Sequence, residues 1–176
     1  MTATPPQAEL GEEVLSARIR GRLPDNGALP VLTDASTCAK HIRGDGGAVA
    51  DSAEFLVEHV LPRLKITRPL PVVAVHHNCS AQRLAEQPAT EAIAAACAGR
   101  VAVLSSINCC GYAGDKGLFT PELNEWATRF AKSDIPADCT IGVSTVSTCA
   151  SGLSERAGIP FVSLASLLEA VSRPVA

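Results

Sequence analysis

Seven cysteines in 176 residues are the side chains best suited to chemistry in this chain. A thiolate is a nucleophile, a redox group and a soft metal ligand, so placement decides which use applies. Seven is odd, and Met1 to Gly11 lack the basic–apolar–small pattern of a secretory leader. A disulfide framework is therefore a poor reading. Cys109 and Cys110 are adjacent, and a disulfide between neighbours is strained. Gly111 behind them supplies the backbone freedom for a turn that aims both thiols. Four thiolates drawn from three loops suit a soft metal or an iron–sulfur cluster. Cys₄ zinc sites usually use paired Cys-x₂₋₄-Cys knuckles, which are absent here. Zinc and free or redox-active thiols remain the alternatives.

The elements that must position these residues are legible as alternating apolar runs and helical patterns. Val31-Leu32, Val72 to Val75, Val101 to Leu104, Ile141 to Val143 and Phe161-Val162 read as strands buried on both faces. Helical spacing marks Ser52 to Leu61, Ala89 to Cys97, Thr120 to Ala131 and Leu164 to Val171. The alternation predicts an α/β fold: a mostly parallel sheet with helices on both faces. On that map Cys38, Cys79, Cys109, Cys110 and Cys149 all fall in loops just past the carboxyl ends of strands. Those loops share the edge where ligand sites form in open parallel sheets. Cys97 and Cys139 read as small buried hydrophobes. His41 and His59 read as solvated helix residues, Asp115 as part of a turn, and Trp126 and Phe130 as core. Residues 1–10 read as a tail, 11–22 as a weak helix, and 24–28 and 44–47 as loops.

An internal repeat sharpens the map. Ser36-Thr37-Cys38-Ala39 recurs as Ser147-Thr148-Cys149-Ala150. Leu32-Thr33 matches Val143-Ser144 upstream, and Val49 to Leu56 falls against Phe161 to Leu168 with one residue of slippage. The expected organisation is an N-terminal tail and short helix (1–28), the tail of a first repeat (29–66) and a complete second repeat (67–176). Cys38 matches Cys149, which makes it a candidate additional ligand. The chain reads as beginning partway through a duplicated architecture, with an open surface where an upstream domain or separate subunit docks.

His76-His77-Asn78-Cys79, Cys109-Cys110-Gly111 and Ser147-Thr148-Cys149 together resemble the CCG (cysteine-rich) domain. That domain occurs in a component of heterodisulfide reductase and in the iron–sulfur parts of glycolate and D-lactate oxidising enzymes. The stretch from Cys109 to Leu123 is especially similar to the C-terminal region of the large FAD-linked bacterial D-lactate dehydrogenases. The resemblance runs from about Leu29 to the C-terminus. It implies metal ligation by Cys79, Cys109, Cys110 and Cys149, with His76, Gly111 and Lys116 as supporting neighbours. The implied cofactor is an iron–sulfur cluster of the 4Fe-4S type, with FAD on a separate domain or subunit. The family's last site is Cys-x-x-Cys, and Val146 occupies the earlier position here, so a five-cysteine noncubane cluster is not expected.

The function so implied is electron transfer in a flavin-linked 2-hydroxy-acid (D-lactate or glycolate) dehydrogenase or oxidase, from flavin towards a quinone or other acceptor. The chain is then a component of an oxidoreductase and not catalytic alone. A hydride acceptor is needed, and no Gly-x-Gly-x-x-Gly follows any of the strands. The alternatives are a non-catalytic assembly domain with structural zinc or free thiols, or a heterodisulfide-reductase-like thiol redox subunit. Composition narrows the partners. A net charge of −3 and 3% aromatics argue against a nucleic-acid surface. No apolar run approaches the ~18–20 residues of a transmembrane span. The expected location is the cytoplasm, with contact to the inner membrane only through partners.

Overall fold

The computed structural model describes residues 18, 21–22, 31–35, 38–39, 42, 49–84 and 87–175. The readings for residues 1–28, apart from 18, 21 and 22, and those for His41 and 44–47 lie outside the described residues. The strands are β1 (Val31–Thr33), β2 (Val49–Asp51), β3 (Leu64–Ile66), β4 (Leu70–His76), β5 (Ala98–Val103), β6 (Gly142–Ser144), β7 (Phe161–Val162) and β8 (Ser172–Pro174). The helices are α1 (Ser52–Phe55), α2 (Cys79–Leu84), α3 (Gln87–Cys97), α4 (Lys116–Phe119), α5 (Pro121–Thr128), α6 (Ser147–Ala157) and α7 (Leu164–Val171). A π-helical turn and a 3₁₀ turn carry α1 on to Arg63, and a further 3₁₀ turn spans Ala131–Asp134.

β4 explains the layering. Val72 to Val75 are all buried, and a strand sends successive side chains to opposite faces. Val73 and Val75 therefore join Ile93 of α3 and Leu167 and Leu168 of α7 in one core cluster. Val72 and Ala74 join Leu153 of α6 and Ala131 in the other. The fold is thus α/β, a four-stranded parallel sheet of order β5-β4-β6-β7 with helices on both faces, as expected. Cys97 and Cys139 lie one in each cluster, as small apolar filling. Burial pushes the Cys97 thiol up to about 11.

One strand reading needs amendment, and one strand pair is additional to those expected. β1 is not in the four-stranded sheet; it pairs in parallel with β2, and β3 pairs antiparallel with β8. The β1–β2 unit nevertheless copies β6–β7. Val31 pairs with Val49 and Gly142 with Phe161, which shows the one-residue slippage directly. The Ala39 N–H donates to Ala35 O at 3.0 Å just as the Ala150 N–H donates to Val146 O at 3.0 Å. Side-chain caps then start the next helix in both copies, Asp51 for α1 and Ser163 for α7.

Trp126 and Phe130 correct the sequence reading. Both keep helical spacing, yet Trp126 is 70% and Phe130 52% exposed, because α5 turns Asn124 and Thr128 inward instead.

Candidate functional site

The chain leaves β4 for β5 on one side and returns to β6 on the other, so the strand order reverses between β4 and β6. Loops diverge at such a reversal and open a crevice beyond the strand ends. Four cysteines are delivered there. Past β4, Asn78 Oδ1 accepts the N–H groups of Ser80 and Ala81, both at 3.0 Å. This Asn cap starts α2 with Cys79 as its first residue. Asn78 Nδ2 donates to Thr145 Oγ1 past β6, tying two of the strand ends together. Past β6, Cys149 stands in the first turn of α6. Cys79 and Cys149 therefore open helices rather than lying in loops, because Asn78 and the Val146 carbonyl start a helical turn immediately after each strand. Cys38 likewise stands in a helical segment. Cys109 and Cys110 do lie in a loop, past β5.

The four thiols stand close to one another. Cys110 Sγ lies 2.7 Å from Cys149 Sγ, and Cys79 and Cys109 are near enough to act on one another and on this pair electrostatically. Cys79 and Cys109 are exposed, whereas Cys110 and Cys149 are buried. The Cys110–Cys149 hydrogen bond splits the titration of the buried pair: it lowers Cys110 to about 7 and raises Cys149, which burial raises further. Burial raises Cys109, partly offset by the Gly111 N–H that reaches its sulfur at 3.3 Å. Cys38 is exposed and takes part in none of these contacts among the described residues.

The double-cysteine loop is held by groups that sequence reasoning passed over. Asn124 is buried and donates from Nδ2 to the Cys110 carbonyl at 2.7 Å. Its only sequence signal is a polar residue inside an otherwise ordinary helical pattern. Gly111 has φ +75°, and a Cβ there would stand 2.7 Å from the Leu123 carbonyl carbon and 2.8 Å from Asn124 Cα. α5 backbone thus packs directly onto the turn, leaving no room for a side chain. The ring of buried Tyr112 fills the space over Gly152 of α6 in the same way.

His76 is buried and its Nδ1 lies 3.1 Å from Ser144 Oγ, its cross-strand partner on β6. Burial first, and the nearby His77 second, lower it to about 4. Its described hydrogen bond thus secures the β4–β6 pair rather than a cysteine sulfur. His77 instead meets Glu91 of α3 at 2.8 Å. Lys116 is exposed at the start of α4, and the causes that shift the thiols are burial, backbone N–H groups and other cysteines. A cleft of about 610 Å³ adjoins the crevice, lined in part by Asp34, Ser144, Thr145, Ser147 and Ser151.

As a donor set, four thiols fit a soft metal or an iron–sulfur cluster. The 2.7 Å between Cys110 and Cys149 is shorter than the roughly 3.8 Å separating two sulfurs on one tetrahedral zinc with ~2.3 Å bonds. Among the described residues no three His, Cys, Asp or Glu side chains surround a single-ion position. Any such group must part this pair as it binds. No protein-family model, curated protein or solved structure matches the chain. Among the described residues no helix is long and apolar enough to cross a membrane.

Proposed function

We propose that the chain is an iron–sulfur electron-transfer domain that works with a flavin-bearing partner oxidising a 2-hydroxy acid such as D-lactate or glycolate. The observation that carries this reading is the gathering of Cys79, Cys109, Cys110 and Cys149 past three strand ends of one sheet, with Cys110 and Cys149 in sulfur–sulfur contact. A cluster held there supplies one-electron chemistry at a potential set by hydrogen bonds and exposure. The chain's own part is to hold the thiolates and to aim a backbone N–H at them, as Gly111 does for Cys109. Exposed Cys79 and Cys109 put one side of the site at the surface, where a donor or acceptor can approach. Hydride removal, flavin and quinone belong to partners, and the chain alone turns over no 2-hydroxy acid.

Anaerobic reconstitution with iron and sulfide tests the assignment. The expected product is brown, and Ser at 79, 109, 110 or 149 loses most of the bound iron while Cys97→Ser and Cys139→Ser keep it. Equal loss in all six variants overturns the ligand set. A colourless protein with stoichiometric zinc marks an assembly domain instead. The closeness of Cys110 and Cys149 supports a second reading, a thiol redox subunit. Its mark is a colourless protein in which a small-molecule disulfide converts these two thiols to a Cys110–Cys149 disulfide.

A further inference from the structure

α5 is mounted inside out. Its inward side carries Asn124 and Thr128, both 2% exposed, while Leu123, Trp126 and Phe130 face solvent. Just before it, Leu118 and Phe119 of α4 are exposed as well. Three of the chain's six aromatic residues, Phe119, Trp126 and Phe130, are therefore exposed on or next to α5, and Arg129 ties the last two together. Leu123, Trp126 and Phe130 follow three-then-four spacing, the seam of a helix pair. Glu122 and Arg129 are seven residues apart and so flank that seam on one side.

We infer that this face is the interface with a second copy of the chain, paired through antiparallel α5 helices about a two-fold axis near Trp126. Charge selects the occupant and its direction. Antiparallel pairing sets the flank of one helix against the same flank of the other, so Glu122 of each copy meets Arg129 of its partner. A parallel pair sets Glu122 against Ala127 and gains nothing. Arg129 is already held over the seam, 4.0 Å from the Trp126 ring centre and 4.6 Å from that of Phe130. The apolar seam adds to this: Trp126, Phe130 and Leu123 are 70%, 52% and 44% exposed, so each copy brings roughly 300 Å² of apolar surface to the pair, the size of a weak, concentration-dependent interface. The alternative occupant, a bilayer surface, is opposed by Glu122 and Glu125 on the same helix. The pairing does not depend on what the thiols bind.

Trp126 is the only tryptophan, so the interface carries its own probe. Sedimentation velocity on the full chain, up to near-millimolar concentration, is expected to show a monomer–dimer equilibrium. Trp126 emission shifts to the blue with the same midpoint. Glu122→Arg or Arg129→Glu weakens the dimer roughly tenfold at low salt, and the double exchange restores it. Far-ultraviolet circular dichroism confirms that each variant stays folded. A monomer across the whole range overturns the inference, as does a charge exchange that fails to restore pairing. A monomer that binds anionic vesicles identifies a membrane face instead. A monomer whose Trp126 emission is already blue-shifted shows that the chain covers the face itself.

Discussion

α5 and α7 are both eight-residue helices with apolar residues at helical spacing, and they are mounted in opposite senses. α7 buries Leu164, Leu167, Leu168 and Val171 against the sheet. α5 buries Asn124 and Thr128 and leaves its apolar stripe outside. The difference lies in what each helix covers. Beneath α7 is the apolar face of β4, which asks only for volume. Beneath α5 is the turn that aims Cys110, whose carbonyl needs a donor, and Asn124 supplies it at 2.7 Å. An unpaired buried carbonyl costs more than an apolar contact returns, so the polar side wins the interior.

The largest effect that breaks the comparison comes from equal truncations of the two helices. Leu167→Ala removes a fully buried side chain and is expected to cost about 2–5 kcal/mol. Trp126→Ala removes a larger but exposed one, and monomer stability should change by no more than about 0.5 kcal/mol. Urea unfolding of dilute samples reads both, and comparable losses would mean that α5 faces inward after all.

A second effect contrasts two buried polar side chains. Asn124 is neutral at every pH, whereas His76 titrates and its Nε2 is buried with no hydrogen-bond partner among the described residues. Its pKa falls to about 4 in the folded state, so between the ordinary 6.5 and about 4 the unfolded chain binds the extra proton. Stability is full above pH 6.5 and is lost as the pH falls through that window, by roughly 3 kcal/mol. In His76→Gln the slope of unfolding free energy against pH should flatten over pH 4–6.5. An unchanged slope assigns the acid sensitivity elsewhere.

A third effect is that of Asn124→Ala, about 1–3 kcal/mol for the orphaned Cys110 carbonyl. Its sharper readout is local. The Cys110 thiol should react faster with a bulky alkylating reagent, while Cys97 stays as slow as before. Unaltered Cys110 reactivity would show that Gly111 and Tyr112 hold the turn without the amide.

The same contrast explains what the sequence discloses. Strands and α7 are legible because burial on one or two faces imposes a period that the residues must obey. The strand-end cysteines are legible because a parallel sheet collects such loops at one edge. The repeat is visible down to its one-residue slip. What stays hidden is the sense in which α5 is mounted. Trp126 and Phe130 have the spacing of core residues, and spacing gives a stripe without saying which side of the helix meets the sheet. Asn124 is likewise silent, since its task is set by a carbonyl fourteen residues away. The local start of α2 at Asn78 is readable in principle, as an Asn just before a helix is an ordinary cap.

The reversal of strand order between β4 and β6 also governs when the thiol set can exist during folding. β4 pairs with β5 across fewer than thirty residues but with β6 across sixty-eight, Val75 opposite Val143. Closing the longer loop costs entropy that local contacts do not repay, so parallel pairing of this kind forms slowly. Cys79 and Cys109 can therefore meet as soon as β4 and β5 align. Cys149 joins them only when the loop between β4 and β6 has closed, and a cofactor added to the chain earlier would find three of its four cysteines.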